Sequence, residues 1–203
     1  MQTINKNELP ALGSALAGGF YAGLIQSGTA LYAIIRAPKA EGFHAPTAWG
    51  EYGNEIEGAD SVSDGLANTQ SMAAAGCALA QWALSLNIAG LADWYLPARD
   101  EAEIHYRAFK PTTEENWRYG RHGENSSAVP ITQKYSATAP TQTPIEAFQA
   151  DGAEAFEDRS YWTSTQHGPY YAWIQYFDDG NQFHGAKGGA RPAFAVRRIT
   201  VTP

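Results

Sequence analysis

The sequence predicts an α+β domain, on three observations. An apolar stripe at helical spacing runs from Leu66 to about Leu86. A second helical pattern follows Pro97. Runs rich in β-branched and aromatic residues bracket both helices, near the N-terminus and again from Tyr161 onward.

Each element has a local cause. Pro10 and Gly13 argue against a long helix in residues 1–17, which read as a lead-in or attachment segment. Phe20 to Ile25 and Leu31 to Ile35 form a hairpin candidate around Gln26-Ser27-Gly28-Thr29. Pro38 to Gly58 reads as irregular loop. Ser63 or Asp64 can cap the long helix by accepting a backbone N–H, and Gly90 ends the region. Pro97 suits the entrance of the second helix, about Ala98 to Phe109, because its missing N–H is not needed there. Asp100, Glu101 and Glu103 then sit where the helix dipole favours negative charge. From Lys110 to Arg159 periodicity is lost, an unusual length of loop for a compact domain. In the C-terminal third, Tyr161 to Thr165 and Tyr170 to Phe177 read as strands. Asp178-Asp179-Gly180-Asn181 turns into Gln182 to Lys187, and Ala193 to Val201 closes the sheet.

Composition narrows the function. The chain of 203 residues carries a net charge of −7 with no Lys/Arg run, which argues against nucleic acid as a partner. Six Trp and eleven Tyr beside few Lys resemble the make-up of recognition surfaces. One cysteine, Cys77, rules out an internal disulfide and reads as a small buried hydrophobe in a helical stretch. Residues 1–8 show no signal peptide, and no stretch is apolar enough to insert in a membrane, so synthesis in a cytoplasm is expected.

The chemistry-bearing patterns are missing. There is no Gly-x-Ser-x-Gly, no phosphate or dinucleotide loop, no His-Glu-x-x-His and no Cys-x-x-Cys. Asp60 to Asp64 lacks the ligand positions of a calcium loop, so helix capping by Asp64 is the expected role. No cofactor and no metal are expected. His44, His105, His122, His167 and His184 show no metal-ligand spacing and read as exposed. His167 and His184 are singled out because they flank the same predicted hairpin. Asp178 and Asp179 read as turn residues rather than a catalytic pair. Glu124-Asn125, in the long loop, is a candidate sugar contact.

Three blocks carry a family resemblance. They are Gly90-Leu-Ala-Asp-Trp-Tyr-Leu-Pro-Ala-Arg-Asp-Glu101, then Tyr161-Trp-Thr-Ser-Thr165, then Ala172-Trp-Ile-Gln-Tyr-Phe-Asp-Asp-Gly-Asn-Gln182 with Lys187 and Arg191 to Arg198. In this order they resemble the family of domains like the C-terminal domain of the Legionella collagen-like protein, common in tailed bacteriophages and prophages. Gly18-Gly-Phe-Tyr-Ala-Gly23 is similar to the phage members. The resemblance implies a C-type-lectin-like fold over residues 18–203: two helices packed on small twisted antiparallel sheets with long loops. Residues 110–159 would be an insertion. It further implies a non-enzymatic virion protein of a tail fibre or tail tip, binding a host-surface receptor, glycan or protein. Other phage tail proteins would be partners and a homo-oligomer, such as a trimer, is expected. The alternative is a structural tail subunit whose loops dock onto neighbouring virion proteins. A glycan-cleaving enzyme is a third class, without an identifiable carboxylate pair. The Glu-Pro-Asn and Trp-Asn-Asp motifs of calcium-dependent lectins are absent. So is the cysteine pair of formylglycine-generating enzymes.

On this resemblance Trp94, Leu96, Pro97, Trp162 and Trp173 are scaffold, and Arg197 and Arg198 tie down the last strand. Receptor binding falls to Gln166, His167, Tyr170 and Tyr171 before the hairpin and to Asn181, Phe183 and His184 after its turn.

Overall fold

The structure, a computed structural model, describes residues 2–120 and 123–203, so His122 lies outside the described residues. It is a mixed α+β fold in which helices pack among curled sheets. The larger sheet joins β1 (Thr3–Asn5), β2 (Ala15–Leu16), β3 (Gly19–Ser27), β4 (Ala30–Arg36), β6 (Ala128–Val129) and β11 (Val196–Thr202). Its order is β1-β11-β4-β3-β2, with β6 also on β3. β1 runs parallel to β11, and Thr3 pairs with Thr200. Part of the expected lead-in is therefore built into this sheet.

Two smaller sheets complete the β structure. β5 (Phe43–Thr47) pairs with β10 (Arg191–Phe194). β7 (Ser160–His167), β8 (Tyr171–Tyr176) and β9 (Gln182–Ala186) form an antiparallel meander. The closing strand expected at Ala193 to Val201 is in fact two strands in two sheets, β10 and β11, divided at Ala195. The expected loop from Pro38 likewise contains α1 (Lys39–Gly42) and β5.

The expected helix from Leu66 to Leu86 is also two, α2 (Gly65–Ala74) and α3 (Ala78–Ser85). Gly76 takes a left-handed φ of 84°. Its N–H donates to the Ala73 carbonyl at 3.0 Å and the Cys77 N–H to Met72 at 3.0 Å, a glycine-terminated helix end that redirects the chain. Asp64 caps α2 by accepting from the Ala67 N–H at 3.0 Å. α4 (Arg99–Phe109) follows Pro97 as expected.

Residues 110–159 are not a detached loop. Tyr135, Phe148 and Phe156 belong to the main core with Tyr106, Phe109, Phe177 and Phe194. At its centre lies Arg36, 0% exposed, with its guanidinium within 5.5 Å of the ring centres of Phe20, Phe43, Phe109, Phe148 and Phe156. Its charge is met by the Glu154 carboxylate and by the Glu154 carbonyl at 2.6 Å. One strand of the large sheet and the aperiodic segment thus share a buried ion pair. Arg197 bonds both Asp93 oxygens at 2.8 Å, which fixes β11. No helix among the described residues is long and apolar enough to cross a membrane.

Candidate aromatic recognition face

The β7-β8-β9 meander has one face in the core and one outside. Ala172 and Ile174 of β8 pack inward with Trp162 of β7, against α2 and α3 residues such as Met72 and Leu79. Strand alternation then turns Tyr171 and Trp173 outward. Gln175 shares their parity yet is fully buried. Its amide donates to the Tyr176 and Gly180 carbonyls and accepts from Gln182 at 2.8 Å, which closes the hairpin turn.

The register puts His167 opposite Tyr171 and His184 opposite Trp173. From the two flanking strands the imidazoles meet over β8. Their ring centres are 4.6 Å apart and the planes only 7° from parallel. Tyr171 stands edge-on to His184 at 5.2 Å, and Trp173 edge-on to His167 at 5.4 Å. Phe183, 54% exposed, extends the stack beyond His184 at 4.3 Å. Partial burial lowers the His184 pKa, and the neighbouring His167 lowers it further. Both effects favour the neutral ring, the form that stacks without charge repulsion.

At the Tyr171 end of the meander, Tyr170 packs on Tyr52 with ring centres 5.1 Å apart, and both are exposed. The loop that carries Tyr52 is held by Lys187. This buried ammonium donates to the Asn54 carbonyl at 2.7 Å and to Gln166 Oε1 at 3.0 Å, and lies 4.6 Å from the Trp49 ring centre. Burial lowers the Lys187 pKa, while Glu55 and Cys77 work against that shift.

Of the expected binding residues, His167, Tyr171, Phe183 and His184 come together, and Tyr170 lies at one end. Gln166 does not join them. It is 7% exposed, and its amide is spent on the Ile56 N–H and carbonyl as well as on Lys187, so it is scaffold. Asn181 sits at the opposite end, in the β8–β9 turn, where its N–H donates to Asp179 Oδ1 at 2.8 Å. Trp173 is the reverse correction: assigned to the core, it is half-buried on the outer face. The Arg99 guanidinium lies 5.1 Å from its ring centre. Sequence reasoning missed Tyr52 and Arg99. Arg99 lies within one of the motif blocks, but no local pattern ties it to a strand more than seventy residues away.

Among the described residues no group of three or more His, Cys, Asp or Glu is placed to hold a metal ion. The Cys77 thiol is buried against the Trp49 carbonyl, and burial raises its pKa, the opposite of an activated nucleophile. His105 is not exposed as expected but fully buried in α4, with Nδ1 2.7 Å from the Glu101 carbonyl. What the outer face offers is flat aromatic surface edged by imidazole and guanidinium donors. No protein-family model matches the chain, and no curated protein sequence does.

Proposed function

We propose that the protein is a non-enzymatic recognition module, a bacteriophage tail-fibre or tail-tip protein with a C-type-lectin-like fold that binds a host-surface receptor. The observation that carries the recognition reading is the exposed stack of His167, His184 and Phe183 beside Tyr171 and Trp173. Aromatic residues left on a rigid sheet face in this number are typical of anchors at binding surfaces. The motif residues support the fold reading, since Leu96 and Trp162 are fully buried where α2 and α3 meet the β7-β8-β9 sheet, and Trp94 is fully buried against β4 and β11 of the larger sheet. The phage assignment rests on the motif resemblance alone.

The test is attachment. Purified protein should bind host cells and compete with phage adsorption, and Trp173→Ala or His184→Ala should remove most of that binding while the fold persists. Undiminished binding by both variants would count against this face. A second reading, a structural tail subunit, is favoured by Trp117 and Tyr119. They are 41% and 69% exposed, and their ring centres are 5.4 Å apart. Burial of these two rings between subunits in a virion map would support it.

A further inference from the structure

Arg99 belongs to two surfaces at once. On one side its guanidinium lies 5.1 Å from the Trp173 ring centre. On the other it lines a cleft of about 390 Å³ with Glu124, Asn125, Ser126, Ile131, Thr132 and Gln133, all from the long segment after α4. That volume falls within the range of small-molecule sites.

The cleft is preformed. Asn125 is fully buried, and its amide donates to the Asp100 carbonyl at 2.8 Å and to Glu103 Oε2 at 2.9 Å. Its Oδ1 accepts the Ser127 and Ala128 N–H groups, both at 3.0 Å. The Thr132 N–H donates to the Asn125 carbonyl at 3.2 Å, which closes the loop on itself. Beside the exposed Ile131, the groups that point out of this frame are polar and uncommitted. The Glu124 carboxylate, the Ser126 hydroxyl and the Gln133 amide have no side-chain hydrogen bond among the described residues. Arg99 bonds Asp100 through Nε at 3.1 Å and keeps its terminal nitrogens free among them.

From this we infer that the ligand is a neutral, polyhydroxylated chain, an oligosaccharide with one ring on Trp173 and the next units in the Arg99–Glu124–Gln133 cleft. The inference rests on the recognition reading of the aromatic face. Its chemistry follows from the lining. Hydroxyl groups both donate and accept, and the cleft presents donors (Arg99), acceptors (Glu124) and groups that do both (Gln133, Ser126). An anionic ligand would meet Glu124, and a cationic one Arg99. A sugar ring brings an apolar face to the indole and hydroxyl edges to the cleft.

The experiment uses an array of neutral and acidic oligosaccharides, followed by titration with the mono- to hexasaccharide series of the neutral compounds that bind. Affinity should rise about tenfold between the disaccharide and the tetrasaccharide, the gain expected from a few added hydrogen bonds. Glu124→Ala combined with Gln133→Ala should abolish that rise, and both positions are exposed, so the fold survives. Binding of acidic glycans only, a flat length series, or a rise that persists in the double variant would overturn the inference. An array without any binder would do the same. In each case loss of cell binding by Trp173→Ala would leave the recognition reading standing. If Trp173→Ala and His184→Ala both bind cells normally, the recognition reading itself fails.

Discussion

Glu154→Ala tests whether the aperiodic segment holds the core together. Arg36 is 0% exposed and ringed by phenylalanines, and Glu154, whose side chain is 18% exposed, supplies its counter-charge. Burial lowers the Arg36 pKa to about 10, so the guanidinium stays charged at neutral pH. Removal of the carboxylate leaves that charge with the Glu154 carbonyl and the faces of aromatic rings. Breaking a buried ion pair costs about 3–5 kcal/mol. The remaining carbonyl bond and the cation–π contacts place this case near the lower end, about 3 kcal/mol. For a domain of this size that lowers Tm by about 6–12 °C. The carboxylate also accepts the Lys39 N–H at 2.9 Å, so α1 should loosen as well. Urea denaturation followed by Trp fluorescence measures the loss. The double variant Arg36→Met with Glu154→Leu supplies the contrast. An apolar replacement of similar volume should recover most of the stability, because the pair repays little more than its own desolvation. A Glu154→Ala variant within about 0.5 kcal/mol of the parent, the range of ordinary surface substitutions, would refute the reasoning.

Three further predictions concern the frame beneath the site. His105 is held near pKa 3 by complete burial, so below pH 6.5 the unfolded chain takes up a proton that the native state refuses, and stability falls between pH 6.5 and 3. Glu101 is raised to about 7, chiefly by burial, so its contribution falls as pH rises from 4.5 to 7. The two slopes oppose each other between pH 4.5 and 6.5. Urea midpoints should be nearly flat there and drop below pH 4.5, and His105→Leu should remove the acid limb; an unchanged limb in that variant counts against His105 as its source. Gly65→Ala should cost about 1–3 kcal/mol, because a Cβ there would lie 2.4 Å from Glu101 Oε2, 2.5 Å from the Leu96 carbonyl and 2.6 Å from the Ala98 nitrogen; normal stability of that variant would show that this crossing can open. Lys187→Met should speed amide exchange around Asn54 and weaken binding that depends on Tyr52, and unchanged exchange would mean the ammonium does not hold that loop.

Much of the fold was legible because its causes are local. The Asp178-Asp179-Gly180-Asn181 turn, the alternation in β8 and the helix after Pro97 are each written within a few residues. The break at Gly76 was hidden because the apolar spacing of Ala73, Cys77 and Ala80 continues across it. The role of residues 110–159 was hidden for a different reason. Glu154 and Phe156 find Arg36 and Phe177 across long separations, and no periodicity records that. The site showed the limits of residue type as a guide. A glutamine was expected outside and a tryptophan inside, yet Gln166 found three backbone and side-chain partners in the interior. The strand register carried Trp173 to the surface.

The shared ion pair between Arg36 and Glu154 also sets limits on how this protein can diversify. Residues 110–159 divide into a keel, where Phe148, Glu154 and Phe156 are committed to the interior, and a crown around Glu124 to Gln133, where exposed positions alternate with a few fixed ones. A combinatorial library across the whole segment would yield mostly collapsed molecules. Restricted to Glu124, Ser126, Ile131 and Gln133, with Asn125 kept as the peg, the same library would search new specificities on an intact chassis.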